Sequence, residues 1–263
     1  MVTIETIISM KKRQEKIACL TAYDYPMAKI LDEVGIDIIL IGDSAANVFA
    51  GEKTTLPITM EEMLYHTKIV ARAVKSALVI ADMPFLSFQT KPADAIYNAG
   101  RFLKAGACGV KLEGGKPIIE TVKRLVDLGI PVMGHLGLMP QSIHKFSGYK
   151  IQGKTKKERF TMLKEAKLLE QAGCFSIVLE KIPLNLAKKI TKAISIPTIG
   201  IGAGPYCDGQ ILVLHDMLGL FENFTPKFVK RYARIGEEIR RAVAQYKREV
   251  KKGIYPDKEH SFD

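Results

Sequence analysis

At 263 residues and 47% hydrophobic content the chain can bury one large core, a size that suits one α/β barrel or two small domains; a single domain over 1–263 is expected. Cys19, Cys108, Cys174 and Cys207 lie far apart without CxxC spacing, which excludes a disulfide-stapled secreted scaffold and points to free thiols in a reducing compartment, the cytoplasm. The net charge of +11 and pI near 9.4 raise nucleic-acid binding, but no basic stretch is interleaved with aromatics as stacking platforms require, and no apolar run is long enough for a membrane span.

The opening MVTIETIISMKKRQEK has Glu5 inside its apolar part and its basic cluster after it, the reverse of a secretory signal, and reads as a short amphipathic helix. IACLTAY (17–23) reads as a strand before a helix around 25–34. In DIILIGD (37–43) the apolar run Ile38 to Ile41 is long enough to cross a buried sheet and too short for a helix; Gly42 and Asp43 stop it. A loop and a helix over 59–76 follow. LVIAD ends at Asp82 before a helix over 92–106, and GVKLE ends at Glu113 before one over 117–129. PVMGHL leads into a long polar loop and a helix over 157–173, and FSIVLE ends at Glu180 before a helix over 184–195. IPTIGIGAG and QILVLHD are the last two strands. A basic helix within 227–253 closes the chain, with Phe228, Tyr232, Ile235, Ile239, Val243 and Tyr246 at three- and four-residue steps and its cations mainly on the other face. A solvated helix face explains that charge more cheaply than a nucleic-acid groove; an acidic partner or an anionic substrate such as a polyglutamylated cofactor stays open.

Helices repeatedly end at glycine (Gly35, Gly106, Gly129, Gly173), the residue suited to the left-handed cap before the next strand. Eight alternating β-then-α units mean a parallel sheet, and that number suggests a closed (β/α)₈ TIM barrel. Residues at the C-terminal ends of the strands then converge on one mouth: Asp43, Asp82, Lys111, Glu113, His135 and Glu180.

Three acids meeting in an apolar mouth repel each other unless a cation neutralises them, and a hard divalent ion such as Mg²⁺ takes oxygen ligands while keeping positions open for substrate. Asp43, Asp82 and Glu113 are the candidate ligands, although the same acids also read as helix caps and surface ion pairs. Lys111, two residues before Glu113, shares its side of the strand and suits a substrate anchor, a Schiff-base nucleophile or an ion-pair partner; with a metal beside it, anchoring is favoured. Glu180 stands apart as a candidate general base. IGIGAGPYCDGQ (199–210) misses the GxGxxG spacing and reads as a tight turn lining the mouth. His135 reads as a substrate contact or a structural histidine. His215–Asp216 has no nearby nucleophile and Ser44 no evident base, so a Ser-His-Asp triad is weakly supported.

LTAYDYPMA, IGDSAANVFAG, TTLPITMEEMLYHTKIVARA, ADMPF, GACGVKLEGG, GHLGLMPQS, GYKIQGKT, SIVLEKIP, PTIGIGAG, DGQILVLHDMLGL and GIYPDKEHSF, in this order, resemble the ketopantoate hydroxymethyltransferase family along essentially the whole chain. The resemblance implies a (β/α)₈ barrel that passes a hydroxymethyl group from 5,10-methylenetetrahydrofolate to 3-methyl-2-oxobutanoate, giving ketopantoate on the way to pantothenate. It implies that Asp43 and Asp82 bind Mg²⁺ with Glu113 completing the site, that Asp43, Ser44, Asp82 and Lys111 hold the ketoacid, and that Glu180 accepts the proton. It also implies a homo-oligomer, commonly a decamer in bacteria. One departure stands out: after GDS the family usually carries a Leu- or Val-Gly-type pair, whereas this chain has Ala45, Ala46 and Asn47, which narrows the backbone conformations open to that loop. Two other readings compete: another Mg²⁺-dependent 2-oxoacid lyase or mutase of the same barrel type, and a basic nucleic-acid-binding protein.

Overall fold

Local chemistry marks many of the element boundaries. Thr3, Asp24, Thr59 and Thr155 each accept a hydrogen bond from a backbone N–H in the first turn of the helix that follows, satisfying donors that the helix itself leaves free. Gly35 ends a helix in the left-handed conformation with φ +85°, and Gly106, Gly129 and Gly173 also have positive φ just past helix ends.

The computed structural model describes residues 1–221 and 225–262. Its elements run α1 (Ile4–Lys12), β1 (Ile17–Thr21), α2 (Tyr25–Val34), β2 (Ile38–Ile41), α3 (Ala45–Val48), α4 (Met60–Ala73), β3 (Leu78–Asp82), α5 (Pro92–Lys104), β4 (Gly109–Glu113), α6 (Ile119–Asp127), β5 (Val132–Gly137), α7 (Lys156–Gln171), β6 (Ser176–Glu180), α8 (Leu184–Ala193), β7 (Thr198–Ile201), β8 (Gly209–Leu212), α9 (Leu214–Leu218) and α10 (Ile235–Lys251). All eight strands pair in parallel in sequence order, and β8 returns to β1, closing the barrel. The described chain sorts into two compact units, Met1–Val213, which contains the barrel, and Leu214–Asp263.

Strand residues alternate between the barrel interior and the helix layer. Ile17, Cys19, Ile38, Leu40, Leu78, Ile80, Met133, Val178, Ile199 and Ile211 form one interior cluster, and Ile7 and Met10 of α1 join it. Because Ile17, Ile38 and Leu78 begin their strands, α1 plugs the N-terminal end of the barrel. Ile7 is fully buried there, so Ile7→Ala is expected to cost about 2–5 kcal/mol, read as a lower urea midpoint at unchanged slope.

The structure corrects two sequence expectations. No helix separates β7 from β8, which residues 202–208 join directly, so the strict eightfold β-then-α count fails at the seventh unit. The register explains how so short a link suffices. Gly209 lies beside Ile199, two residues below the end of β7, so the chain descends only about 7 Å. The basic helix starts at Ile235 rather than near 227. Residues 227–234 carry Lys227, Lys230, Arg231 and Arg234, charges that a helix N-terminus disfavours, whereas α10 has Glu237 and Glu238 in its first turn. Phe228 and Tyr232 therefore do not continue its apolar stripe. Ile235 is half-buried, and the rest of the stripe is exposed, with Ile239 48%, Val243 59% and Tyr246 57% accessible.

Candidate active site

The site extends the barrel's own alternation. One pleat above Ile80, Met133 and Val178 on the interior face come Asp82, His135 and Glu180, at the C-terminal ends of β3, β5 and β6. Lys111 and Glu113 share one face of β4, and Asp43 follows β2 by two residues. Register then chooses neighbours, setting Asp82 beside Lys111 and Glu113 beside His135.

Each contact follows from that placement. Lys111 Nζ forms an ion pair with Asp82 Oδ1, both side chains almost wholly buried. Asp82 Oδ2 accepts the backbone N–H of Asp43 at 3.0 Å. His135 lies between two acids, with Nδ1 3.5 Å from Glu113 Oε1 and Nε2 3.3 Å from Glu180 Oε2, close enough for ion pairing without hydrogen-bond alignment. Ser44 Oγ is 2.8 Å from Tyr23 Oη, so its nearest partner is a phenol and not a histidine base. The six residues expected at the mouth do meet there. His215 and Asp216, the weakly supported triad pair, fall in α9 within the second unit.

Sequence reasoning did not single out Tyr23, Gln89, Gln141 or Tyr149. Gln141 sits in a 3₁₀ turn, Pro140–Ser142, just past β5, and donates Nε2 to Asp43 Oδ2 at 3.0 Å. A proline opening a turn directly after a strand's C-terminal end is the one signal that could have pointed to it. Tyr149, 44% exposed in the polar loop after β5, has its hydroxyl pushed up by partial burial and by the charges of Glu180, Asp43 and Glu113. That loop is tied down at β6: Gln152 N–H donates to Lys181 O at 3.0 Å, and Lys181 Nζ donates to Tyr149 O.

Backbone geometry sets Glu180. Lys181, in the left-handed region at φ +47°, turns the chain immediately after it. Gly137 passes beside it with φ +100°, and a Cβ there would stand 2.2 Å from Glu180 O. Gly137→Ala is therefore expected to lower stability and to displace the Glu180 backbone, seen as a reduced melting temperature together with a fall in kcat.

The charges do not balance. Burial first, then the charges of Asp82 and Glu113, push the Asp43 carboxyl up to about 8, against the opposing pull of Lys111 and Gln141. Lys111 is held protonated: burial works against its charge, and Asp82, Asp43 and Glu113 outweigh it. Burial and Lys111 oppose the charge on His135, but Glu113 and Glu180 raise it to about 9. With Asp43 largely protonated at neutral pH, three further acids still face two cations. Glu113 Oε1 is buried without a hydrogen bond, which suits a metal ligand. Among the described residues no three His, Cys, Asp or Glu side chains already converge as a finished metal centre, and Asp82 is engaged by Lys111. The fit to Mg²⁺ accordingly rests on the all-oxygen donor set and its uncompensated charge.

Ala45 and Ala46, where the family pattern differs, are buried at 0% and 1% exposure in the short helix α3. That conformation needs no glycine, and the packing leaves little room for a larger side chain.

Both the fold and the sequence have known counterparts. A 2,3-dimethylmalate lyase of the PEP mutase/isocitrate lyase superfamily superposes with a TM-score of 0.62 at 15% identity, covering 99% of this chain and 92% of that one, a likeness of fold alone. The 3-methyl-2-oxobutanoate hydroxymethyltransferase of Geobacter metallireducens is 58% identical over 261 residues, 99% of this chain and 98% of the relative. The enzyme of the same name from Clostridium kluyveri is 58% identical over 260 residues, 98% of this chain and 93% of the relative. The sequence also matches the family pattern described as ketopantoate hydroxymethyltransferase over residues 1–258. With acids and a lysine gathered at the mouth of a closed parallel barrel and near-complete alignment to these relatives, the chain belongs to the ketopantoate hydroxymethyltransferase family.

Proposed function

We propose that the mouth described above carries out the family's hydroxymethyl transfer through an enolate of 3-methyl-2-oxobutanoate, with Glu180 as the base. The overall reaction is that of a 3-methyl-2-oxobutanoate hydroxymethyltransferase in pantothenate biosynthesis, with methylenetetrahydrofolate as the one-carbon donor. What supports the enolate step is the placement of Glu180 at the rim, its side chain 16% exposed, beside acids that are almost fully buried. A base at the rim reaches a substrate whose charged end lies deeper.

Lys111 meets the ketoacid carboxylate as a cation already turned into the mouth by Asp82, so it anchors by charge and forms no imine. Asp43, Ser44 and Asp82 complete the ketoacid site, and Asp43, Asp82 and Glu113 would hold Mg²⁺. When bound, Mg²⁺ supplies Lewis-acid stabilisation to the oxyanion that develops as the C3 proton leaves. Glu180 takes that proton, and C3 forms its new bond to the one-carbon unit, whose two bonds to folate nitrogens break while one water supplies the hydroxyl oxygen and tetrahydrofolate leaves. His135 stands between Glu180 and Glu113 and offers the base's carboxylate a neighbouring ring nitrogen at 3.3 Å.

The decisive experiment follows the C3 hydrogen of 3-methyl-2-oxobutanoate by proton NMR in D₂O, without folate, with and without Mg²⁺. Mg²⁺-dependent exchange is expected. Its absence even with tetrahydrofolate added would reject the enolate reading. A lyase or mutase of the same barrel type would instead make product from free formaldehyde or glyoxylate and ignore the folate donor.

The chain is further inferred to act as a homo-oligomer, a decamer by family resemblance, in the cytoplasm. The exposed apolar stripe of α10 supports association, and no helix among the described residues is long and apolar enough to cross a membrane. Light scattering coupled to gel filtration is expected to give a mass several times 29.2 kDa, and a monomer at micromolar concentration would contradict it. Nucleic-acid binding is expected to be absent at physiological salt.

A further inference from the structure

Gln141 is a neutral residue, 6% exposed, whose side-chain polar atoms and backbone N–H are all hydrogen-bonded. Its Nε2 donates to Asp43 Oδ2 at 3.0 Å and to Met83 O at 2.9 Å, while its Oε1 accepts from Gln89 Nε2 at 3.0 Å. Its backbone N–H donates to Glu113 Oε2 at 3.0 Å. The amide orientation is determined by its neighbours: Met83 O can only accept, so the NH₂ group must face it and Asp43 together.

One residue thus ties the carboxylates of Asp43 and Glu113, which come from the ends of different strands. It holds a single oxygen of each. The other oxygen of Glu113, Oε1, takes no hydrogen bond among the described residues and has His135 Nδ1 3.5 Å away as its neighbour. A lysine or arginine in place of Gln141 would also donate to Asp43, but its positive charge would compete with a bound cation. A glutamine orients the acids and leaves their charge intact.

We propose that Gln141, braced by Gln89, is a positioning residue that presents the second oxygens of Asp43 and Glu113 to a divalent cation; the inference rests on the metal reading above. Groups that orient metal ligands typically change metal affinity by roughly 10–100-fold when lost.

Mn²⁺ is the probe, titrated into the intact protein without substrates and followed by the loss of the free-ion electron paramagnetic resonance signal. Gln141→Leu keeps the backbone N–H and removes the amide. It is expected to weaken Mn²⁺ binding by roughly 10–100-fold. A variant that melts earlier yet binds Mn²⁺ within threefold of the wild type would show a merely structural role and overturn the inference. Should Gln141→Leu fail to fold, Gln89→Ala carries the test: it frees only Oε1, and several-fold weaker binding is expected, whereas unchanged binding counts against the proposal. Wild-type protein that binds no Mn²⁺ would remove the metal reading itself, and this inference with it.

Discussion

Glu180→Gln is expected to abolish exchange of the C3 hydrogen of 3-methyl-2-oxobutanoate while leaving the ketoacid able to bind. The amide has the shape of the carboxylate but cannot take up a proton at neutral pH. Removing a positioned general base commonly costs roughly 10²–10⁴-fold in rate, so kcat should fall by that order. Binding should change little, because the anchoring groups Lys111, Asp43 and Asp82 are held by contacts that do not involve Glu180. The variant also removes one of the two acids that keep His135 charged, so the imidazole becomes easier to deprotonate. A readout confined to kcat would confound the two effects. Isotope exchange and ketoacid titration separate them: exchange lost with binding kept assigns the base, and exchange retained at the wild-type rate would move the role to another group.

Much of this site was legible because a parallel barrel turns a one-dimensional pattern into a place. An apolar run that stops at an acid marks the C-terminal end of a strand, and Asp43, Asp82, Glu113 and Glu180 each mark one. What stayed hidden is register. That Asp82 pairs with Lys111 depends on how β3 slides against β4, which neither segment reveals alone. The apolar alternation specifies which face a side chain takes; its level is a property of the pair. Gln141 was hidden for a different reason. Nothing about a glutamine in a polar loop distinguishes a solvated residue from one that holds two carboxylates, since the distinction lies in which loop folds over the mouth. The seventh connection misled because glycines in IGIGAGPYCDGQ were read correctly as a tight turn, yet a helix was still assumed for every unit. The apolar stripe of the C-terminal helix was overextended because periodicity alone ignored the cations of 227–234, which oppose helix initiation there.

The second large effect is expected at Asp82. Its two oxygens do separate jobs, Oδ1 on the buried ammonium of Lys111 and Oδ2 on the backbone N–H of Asp43. Asp82→Ala removes both. Lys111 is then a buried cation without its nearest partner, and losing one half of a buried ion pair costs about 3–5 kcal/mol, so the variant should unfold at lower urea. It should also lose the Mg²⁺-dependent part of ketoacid binding, since a proposed metal ligand is gone and Lys111 is free to swing. These two losses have different causes, and Asp82→Asn pulls them apart. The amide oxygen can still accept from the Asp43 N–H, which preserves the loop after β2, while the charge that steers Lys111 and would bind the metal is absent. Stability should therefore recover in part, whereas calorimetric titration of 3-methyl-2-oxobutanoate should show no gain from added Mg²⁺ in either variant. If Asp82→Asn kept the Mg²⁺-dependent gain, Asp82 would serve only as the counter-ion of Lys111, and the cation would have to be held by Asp43 and Glu113, the two acids that Gln141 joins.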